Sequence, residues 1–397
     1  MDLIQFQRLF NKEPRYRLEQ AKKALFHDLI QNWQTAKTLP LSLREELNKE
    51  WPIEISAKTF VSKDRNTIKA ILTLKDGLKI EAVLMRHKNK RNTICVSSQA
   101  GCPLNCSFCA TGKMGFQRNL ETWEIVEQVL FFARYLKKIK AKVTNIVFMG
   151  MGEPFLNYQN VLGAIRILND KEGFNLGARH FSISTVGIVE GIEKLAKEKL
   201  QINLAISLHA PNDELRSKLM PINKKYPIKK VLNAVDDYIK KTRRRVMFEY
   251  MMLKNLNDSV KDAKTLARLM KKPCARARTV QGRPLYFVNL ISYNPTGIFK
   301  SSPSRATAKS KEDFTLFLTF ASFGSSVGEE ENLFSSPSLR IKKFKEILEK
   351  EGVAVTQRYR FGQGIKAACG QLALSDTKDD FIKEKKKKMI MSKEILQ

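Results

Sequence analysis

Short apolar runs alternate with amphipathic helical patterns along most of this 397-residue chain, and this alternation limits its possible folds more than any other feature. Six runs are apolar on both faces, as buried parallel strands are: 93–98, 144–149, 180–186, 203–208, 246–252 and 286–292. Helical patterns occur at about 121–139, 159–169, 189–198, 228–241, 258–271 and 339–351. Six β-α units are too few for a closed eightfold barrel. The sequence therefore predicts an α/β fold, a partial (β/α)6 barrel whose active site lies at the carboxyl ends of the strands.

The rest of the chain is expected to form smaller units around this barrel. Helical patterns occur near the start, at about 15–32 and 42–49. Two strand-like runs, 67–74 and 79–85, flank the turn residues Asp76-Gly77 and predict a β-hairpin. The predicted segments are a small helical N-terminal accessory domain at 1–65, a β-hairpin connector at 66–91, the barrel at 92–375 and a basic, disordered tail at 376–397.

The chain carries a large excess of positive charge. It contains 71 lysines and arginines against 40 aspartates and glutamates, which gives a formal net charge of +31 at pH 7. Such a charge indicates a polyanionic partner, either nucleic acid or an anionic membrane. The sequence has no run of 18 apolar residues and does not open on a signal-peptide pattern, so we expect a cytoplasmic protein with no membrane partner. The basic clusters that fit phosphate contacts are 86–91, 240–245, Arg276, Arg278 and 385–388.

Three of the six cysteines stand close together, as Cys102-x3-Cys106-x2-Cys109. A large chain in a reducing compartment uses such a cluster for a metal centre rather than for disulfides. A structural zinc ion usually takes four ligands in two separate pairs, whereas three thiolates on a [4Fe–4S] cluster leave one iron without a protein ligand. This spacing is the signature of the radical S-adenosylmethionine (SAM) superfamily, in which SAM chelates that iron. A zinc-stabilised, non-catalytic RNA-binding protein is the alternative.

Polar residues lie at the ends of five predicted strands, where a barrel carries its active site. Glu153, in the motif Gly-Met-Gly-Glu-Pro, is expected to be an exposed carboxylate that faces a ligand with an ammonium group. Ser184, His209 and Asn294 lie at the ends of other strands. Taken singly, each also has a structural interpretation, as a buried hydroxyl, a core histidine or a turn initiator.

Four motifs of the chain together resemble the RlmN/Cfr family: GCPLNCSFCATGKMGFQRNL, GMGEP, ISLHAPNDELR and AACGQLA. This family consists of radical SAM methyltransferases that act on adenine in RNA. One branch methylates carbon 2 of an adenosine in 23S ribosomal RNA and of one in tRNA, and the other branch methylates carbon 8. We favour carbon 2, because CATGKMGFQRNL and SLHAPNDELRSKLMPINKKYPI are more similar to the first branch.

The resemblance implies a role for each residue that matches a family motif. Cys102, Cys106 and Cys109 match the ligands of the [4Fe–4S] cluster. Cys369 matches a cysteine that is itself methylated, and Cys95 matches the cysteine that resolves the intermediate. The positions that match SAM contacts are Gly152, Glu153, Ser184, Ser207, Leu208, His209 and Asn294.

The resemblance also implies a reaction that uses two SAM molecules. The first methylates the thiolate of Cys369, and the second gives a radical that activates this S-methyl group for addition to the adenine ring. Glu81 matches the carboxylate that accepts the ring proton. Attack of Cys95 on the sulfur of Cys369 then frees the product and leaves a disulfide. Cys274 is expected to be structural.

Further expectations follow from the same resemblance. The implied partners are 23S ribosomal RNA, tRNA and an electron donor such as flavodoxin or ferredoxin, and a monomer is expected. The accessory domain at 1–65 is expected to contribute to RNA binding. Two stretches are longer than the family pattern and predict insertions at 275–284 and 296–336.

Overall fold

The computed structural model describes residue 6 and residues 8–271, 279–280, 283–296 and 333–374. Its strands, in chain order, are β1 (Ser56–Val61), β2 (Thr67–Thr73), β3 (Lys79–Arg86), β4 (Asn92–Val96), β5 (Gln99–Gly101), β6 (Phe116–Asn119), β7 (Asn145–Phe148), β8 (Phe181–Thr185), β9 (Asn203–Ser207), β10 (Val246–Met252), β11 (Thr279–Val280), β12 (Arg283–Pro284), β13 (Tyr286–Ser292) and β14 (Val355–Gln357). The α-helices within these ranges are α1 (Arg15–Phe26), α2 (Leu41–Glu50), α3 (Ala110–Lys113), α4 (Thr122–Lys138), α5 (Tyr158–Asn169), α6 (Val189–Leu195), α7 (Asp213–Leu219), α8 (Ile228–Thr242), α9 (Val260–Lys271) and α10 (Ser338–Lys350).

One ten-stranded sheet organises the molecule, in the order β1-β2-β3-β4-β7-β8-β9-β10-β13-β14. The first four of these strands pair antiparallel, and every later pair is parallel. All six predicted barrel strands form, each within two residues of the predicted bounds. The prediction of an α/β fold with a partial (β/α)6 barrel is therefore confirmed.

The barrel strands form where the apolar runs predict them, because helices cover their outer face. β4 is buried along its whole length, as a strand with one covered face and one core face must be. The helix α8 buries one face, with apolar residues spaced three and four apart: Ile228, Val231, Leu232, Val235 and Ile239. It ends at Arg243, which adopts the left-handed conformation (φ 55°).

Several elements differ from the sequence prediction. The strand β1 lies in the segment that was expected to be helical, and it pairs antiparallel with β2. Five of its six residues are exposed, so it carries no apolar alternation to predict it. The first helix ends at Phe26 rather than near residue 32, because Leu29 adopts a left-handed conformation and the Ile30 N–H returns to the Ala24 carbonyl. The strand β14 and the short helix α7 were not predicted either.

The N-terminal segment packs on the barrel through tryptophans. The Trp33 indole N–H donates to the Trp51 carbonyl oxygen at 2.7 Å, which fixes both rings in the core. The Trp51 ring meets the Trp123 ring of α4 edge-on, with centroids 5.2 Å apart. Each of the three side chains is at most 2% exposed. One continuous apolar core therefore joins the N-terminal helices to the barrel.

Some expectations concern residues outside the described ranges, namely the tail 376–397, Cys274 and most of the two insertions. Of the insertion at 275–284, the structure describes only β11 and β12, which pair antiparallel. Within the described residues, every helix is too short or too polar to cross a bilayer.

Candidate active site

The cysteine triplet lies on one loop between β5 and α3, at the carboxyl end of β4. Gly101 opens this loop with φ 81°, and a Cβ at that position would collide with the Gly115 carbonyl oxygen, so glycine is required. The Cys102 N–H donates to that same oxygen at 2.9 Å. The Cys109 N–H donates to the Cys106 carbonyl oxygen at 3.0 Å. These bonds bring the three sulfurs into one small region.

The electrostatics of the triplet fit an iron–sulfur cluster. Burial and the neighbouring sulfurs of Cys106 and Cys109 raise the pKa of Cys102. Burial and the Cys109 sulfur likewise raise the pKa of Cys106. Three thiolates here repel one another, and a [4Fe–4S] cluster supplies the positive charge that they need. Among the described residues, no three His, Cys, Asp or Glu side chains stand as a set for a single metal ion.

The Gly-Met-Gly-Glu-Pro loop is tied to the neighbouring strand end. Gly152 has φ 96°, and a Cβ there would lie 2.5 Å from the Gln99 Cβ atom. The expectation that Glu153 is exposed is wrong, because only 3% of its surface is open. Its Oε1 accepts from the Phe155 N–H at 3.0 Å and its Oε2 from the Val186 N–H at 2.9 Å. Burial raises the pKa of Glu153 to about 7 despite these bonds.

Hydroxyl and carboxylate groups meet inside the barrel. The Ser184 hydroxyl lies 3.4 Å from the Ser207 hydroxyl and donates to Glu249 Oε2 at 2.9 Å. The other Glu249 oxygen accepts from the Arg358 guanidinium at 3.2 Å. The two serines match SAM contacts, and the structure brings them together. Neither Glu249 nor Arg358 was identified from the sequence.

His209 has the features of a structural histidine. It is buried with φ 58°, and its Nδ1 accepts from the Met251 N–H at 3.2 Å. The Asn257 side-chain amide donates to the His209 carbonyl oxygen at 2.8 Å. Burial and the Arg216 cation lower the pKa of His209 to about 3, so its ring is neutral at physiological pH. This ring therefore positions the loop that contains Ser207 and Leu208.

The same loop is held by Arg216, the last residue of the motif ISLHAPNDELR. The buried Arg216 guanidinium donates to the carbonyl oxygens of Leu208 (3.2 Å), Ser207 (3.3 Å) and Val186 (2.5 Å). It thereby joins the ends of two neighbouring barrel strands, β8 and β9. The sequence gave no signal for this role, because Arg216 lies in the short helix α7, which was not predicted.

Cys95 and Cys369 face one pocket of about 560 Å³, counting the space at its open mouth. Cys95 lies on β4, paired with Val83 on β3. Cys369 lies on the C-terminal segment, which is bonded directly to the cysteine loop. The other residues that line the pocket are Val83, Met85, Met149, Ile291, Ser292, Asn294, Arg358, Tyr359, Arg360, Phe361, Ala367, Ala368 and Leu372.

Two hydrogen bonds join the C-terminal segment to the cysteine loop. The Ala110 N–H donates to the Gly370 carbonyl oxygen at 2.8 Å, and the Thr111 hydroxyl donates to the Leu372 carbonyl oxygen at 2.6 Å. Asn294 also lines the pocket, and its amide lies 3.3 Å from the Ser292 carbonyl oxygen. The structure thus brings three predicted site residues, Cys95, Asn294 and Cys369, to one cavity.

The pocket environment opposes thiolate formation, and the Arg358 cation counteracts this opposition. Burial and then the Cys369 sulfur raise the pKa of Cys95 to about 12. Burial also raises the pKa of Cys369, whereas the Arg358 cation lowers it and the Glu249 carboxylate raises it. Arg358 is therefore the cation that favours the reactive form of both sulfurs. In a chain with 71 basic residues, nothing in the sequence distinguishes it.

Glu81 lies beneath this pocket rather than in its wall. Its carboxylate is fully buried and forms an ion pair with Lys69, with Nζ and Oε1 3.1 Å apart. On β3 it shares a face with Val83, which does line the pocket. Glu81 is not one of the described residues that line this pocket. Lys69 was not identified from the sequence.

A three-cysteine loop at the carboxyl ends of a partial parallel barrel, beside an open polar interior, defines a radical SAM enzyme. A model of the radical SAM superfamily matches residues 96–267. The chain is 42% identical over 360 residues to the "Probable dual-specificity RNA methyltransferase RlmN" of Dictyoglomus turgidum, which covers 91% of each protein. The chain therefore belongs to the RlmN family of radical SAM methyltransferases, whose cofactors are a [4Fe–4S] cluster and SAM.

Two further comparisons agree with this assignment. The chain is 42% identical to the "Ribosomal RNA large subunit methyltransferase N" of Nitrosopumilus maritimus, over 90% of this chain and 92% of that protein. A crystal structure of a radical SAM methyltransferase from Sphaerobacter thermophilus is 37% identical, with a TM-score of 0.80 over 94% of this chain and 97% of that one. The expected enzyme class and cofactors are confirmed. The relatives' names favour the RlmN branch over the carbon-8 branch, and the family favours an iron–sulfur cluster over zinc.

Replacing Arg358 tests its effect on the pocket sulfurs. In an Arg358→Gln variant we expect the pH midpoint for alkylation of Cys369 by iodoacetamide to rise, because the cation that lowers the pKa of this thiol is gone. A Glu249→Gln variant is the matched control and should move the midpoint to lower pH. Peptide mass spectrometry over a pH series measures both. An unchanged midpoint in both variants would refute this electrostatic account.

Removing one charge of the buried Lys69–Glu81 pair should destabilise the fold. We expect Lys69→Met to lower the free energy of unfolding by about 3–5 kcal/mol, because it leaves a buried carboxylate without its counter-charge. The double variant Lys69→Met/Glu81→Gln should recover most of this loss. Urea unfolding measures both effects. A double variant as unstable as Lys69→Met alone would show that packing, not charge pairing, governs this site.

Proposed function

We propose that this protein methylates carbon 2 of an adenosine in large-subunit ribosomal RNA and of one in tRNA, through a methylated Cys369. The proposal rests on one pocket that both Cys95 and Cys369 line. Two hydrogen bonds join the segment of Cys369 to the cysteine loop. The names of the relatives, an RNA methyltransferase of dual specificity and a methyltransferase of large-subunit ribosomal RNA, support the substrate. The excess of positive charge suits RNA as a partner.

The cofactors would be held at the carboxyl ends of the barrel strands. Cys102, Cys106 and Cys109 would bind three irons of the cluster, which leaves the fourth iron for SAM. The SAM contacts would come from the polar strand ends described above: Gly152, Glu153, Ser184, Ser207, Leu208, His209 and Asn294. When bound, the reduced cluster supplies the electron for homolysis of SAM. The buried Glu153 carboxylate accepts hydrogen bonds from the Phe155 and Val186 N–H groups and so orders the loop; it is not an exposed charge.

The pocket residues would handle the methyl carbon and the protons. Adenine carbon 2 is electron-poor, so a base alone cannot make it attack a methyl donor. Cys369 as a thiolate takes the methyl group onto its sulfur, and Arg358 favours that thiolate. Once the carbon is joined to the ring, a base must remove the ring proton. The resemblance implies Glu81, which lies outside the described pocket lining in its ion pair with Lys69. The Cys95 thiolate then attacks the Cys369 sulfur, so that the S–S bond forms as the S–C bond breaks. The freed carbon takes up a proton and becomes the methyl group of the base, and the unpaired electron of the adduct would be taken up by the oxidised cluster.

The setting of the reaction follows from its chemistry. The cluster needs one electron for each homolysis and the Cys95–Cys369 disulfide needs two for its reduction, so the proposal includes a low-potential donor such as flavodoxin or ferredoxin. A cytoplasmic location suits both the RNA substrate and reduced cysteines. The proposal includes a protein that acts as a monomer.

Mass spectrometry of nucleosides tests the proposed function. Unmodified large-subunit ribosomal RNA and unmodified tRNA are incubated anaerobically with the reconstituted protein, SAM and a low-potential reductant, and are then digested. We expect 2-methyladenosine from both RNAs, and none with a Cys369→Ala variant. 8-Methyladenosine as the product would contradict the carbon-2 assignment, and full activity of Cys369→Ala would contradict the methyl relay.

A further inference from the structure

Three aromatic rings form a row at the mouth of the pocket that contains Cys95 and Cys369. The centroid of the Tyr359 ring lies 4.9 Å from that of Phe361, which lies 4.8 Å from that of His87. Tyr359 is 67% exposed, although burial of an aromatic ring normally stabilises a fold. Tyr359, Phe361 and His87 are called the aromatic row below.

The backbone that carries two of these rings is anchored. The Arg358 N–H, next to Tyr359, donates to the Leu290 carbonyl oxygen of β13 at 2.9 Å. Gly362 follows Phe361 with φ 65°, and a Cβ there would lie 2.7 Å from the Ala367 Cβ atom. A close turn therefore leads from the aromatic row directly to the segment of Cys369. The rings are presented by fixed backbone at both ends.

The third ring is uncharged, and the charge around the row is positive. Burial, then the Arg91 and Arg358 cations, lower the pKa of His87 to about 4, so its imidazole is neutral at physiological pH. Its two nitrogens lie 3.1 Å from Arg91 Nη2 and 3.3 Å from the Thr93 hydroxyl. The cations exposed near the row are Lys88, Lys90, Arg91 and Arg360. Flat apolar faces with cations beside them suit bases joined by phosphates.

We propose that the aromatic row is a stacking site for the base that neighbours the target adenine in the RNA. The inference rests on the proposed function, since the target base must leave its own stack to reach the Cys369 sulfur. Its departure leaves the face of the adjacent base uncovered. Tyr359 lies at the pocket mouth with most of its surface open, so it meets the adjacent base rather than the base at the sulfur. Stacking accepts any base, because every base has an aromatic face.

A change that removes the ring and keeps apolar volume tests the stacking site. We expect Tyr359→Leu to weaken binding of the shortest large-subunit ribosomal RNA transcript that the unaltered protein methylates by about 5- to 30-fold. The KM for this RNA should rise by a similar factor, and Tyr359→Trp should restore it. The dependence of binding on salt should stay the same in Tyr359→Leu and become less steep in Arg360→Gln. Rates are divided by the fraction of Cys369 that SAM has methylated, which corrects for misfolded protein.

A matched control and an altered RNA sharpen the test. Tyr135 on α4 is 36% exposed and lies outside the pocket lining, so Tyr135→Leu should leave RNA binding unchanged. Transcripts that lack the base on the 5′ or the 3′ side of the target adenine are then compared. One of the two should bind the unaltered protein as weakly as the complete RNA binds Tyr359→Leu. With that transcript the Tyr359→Leu change should cause no further loss.

Failure of the inference differs from failure of the proposed function. If the unaltered protein makes no methyladenosine, the proposed function is wrong. If it does, and Tyr359→Leu has an unchanged KM, the stacking site is wrong. Additive losses from the abasic transcripts and from Tyr359→Leu, or an equal loss in Tyr135→Leu, would also contradict it.

Discussion

Two hydrogen bonds between distant parts of the chain set the geometry on which the rest of the site depends. The amide of Ala110 and the hydroxyl of Thr111, just after the last cysteine of the triplet, bind the carbonyl oxygens of Gly370 and Leu372. The second of these bonds spans 261 residues. Because both acceptors lie within three residues after Cys369, these bonds hold its segment beside the cysteine loop. Cys369 and Cys95 line the same pocket. The cysteine loop and the Cys369 sulfur thus belong to one site.

Burial disfavours the charged forms of the thiols in this site. The pocket raises the pKa of both of its thiols, so an unassisted thiolate is disfavoured there. Arg358 offsets this cost, and Glu249 moderates Arg358 through an ion pair of 3.2 Å. Because Glu249 also accepts from Ser184, the cysteine pocket and the polar strand ends share one charged network. We therefore expect a charge bound at the strand ends to change the reactivity of Cys369.

Much of the fold could be predicted from the sequence, because buried parallel strands contain continuous apolar runs. The strand β1 could not, since its residues are exposed, and three-residue β14 is too short to show a pattern. The roles predicted for the cysteines rest on their motifs. The burial of Glu153 could not be predicted, because one of its backbone partners, the Val186 N–H, comes from another strand end. Arg358 and Lys69 were missed for the same reason, because the role of each depends on a contact with a residue on another strand.

The claim that Cys369 carries the methyl group is tested most directly by labelling that residue. The reconstituted protein is first incubated anaerobically, without RNA, with SAM that bears a deuterated methyl group. After removal of the labelled SAM it receives RNA, unlabelled SAM and a low-potential reductant, and its peptides are analysed by mass spectrometry before and after this second step. The account predicts a deuterated methyl group on the Cys369 peptide, none on the Cys95 peptide, and loss of that group when RNA is added. An unmodified Cys369 peptide in protein that methylates RNA would contradict it.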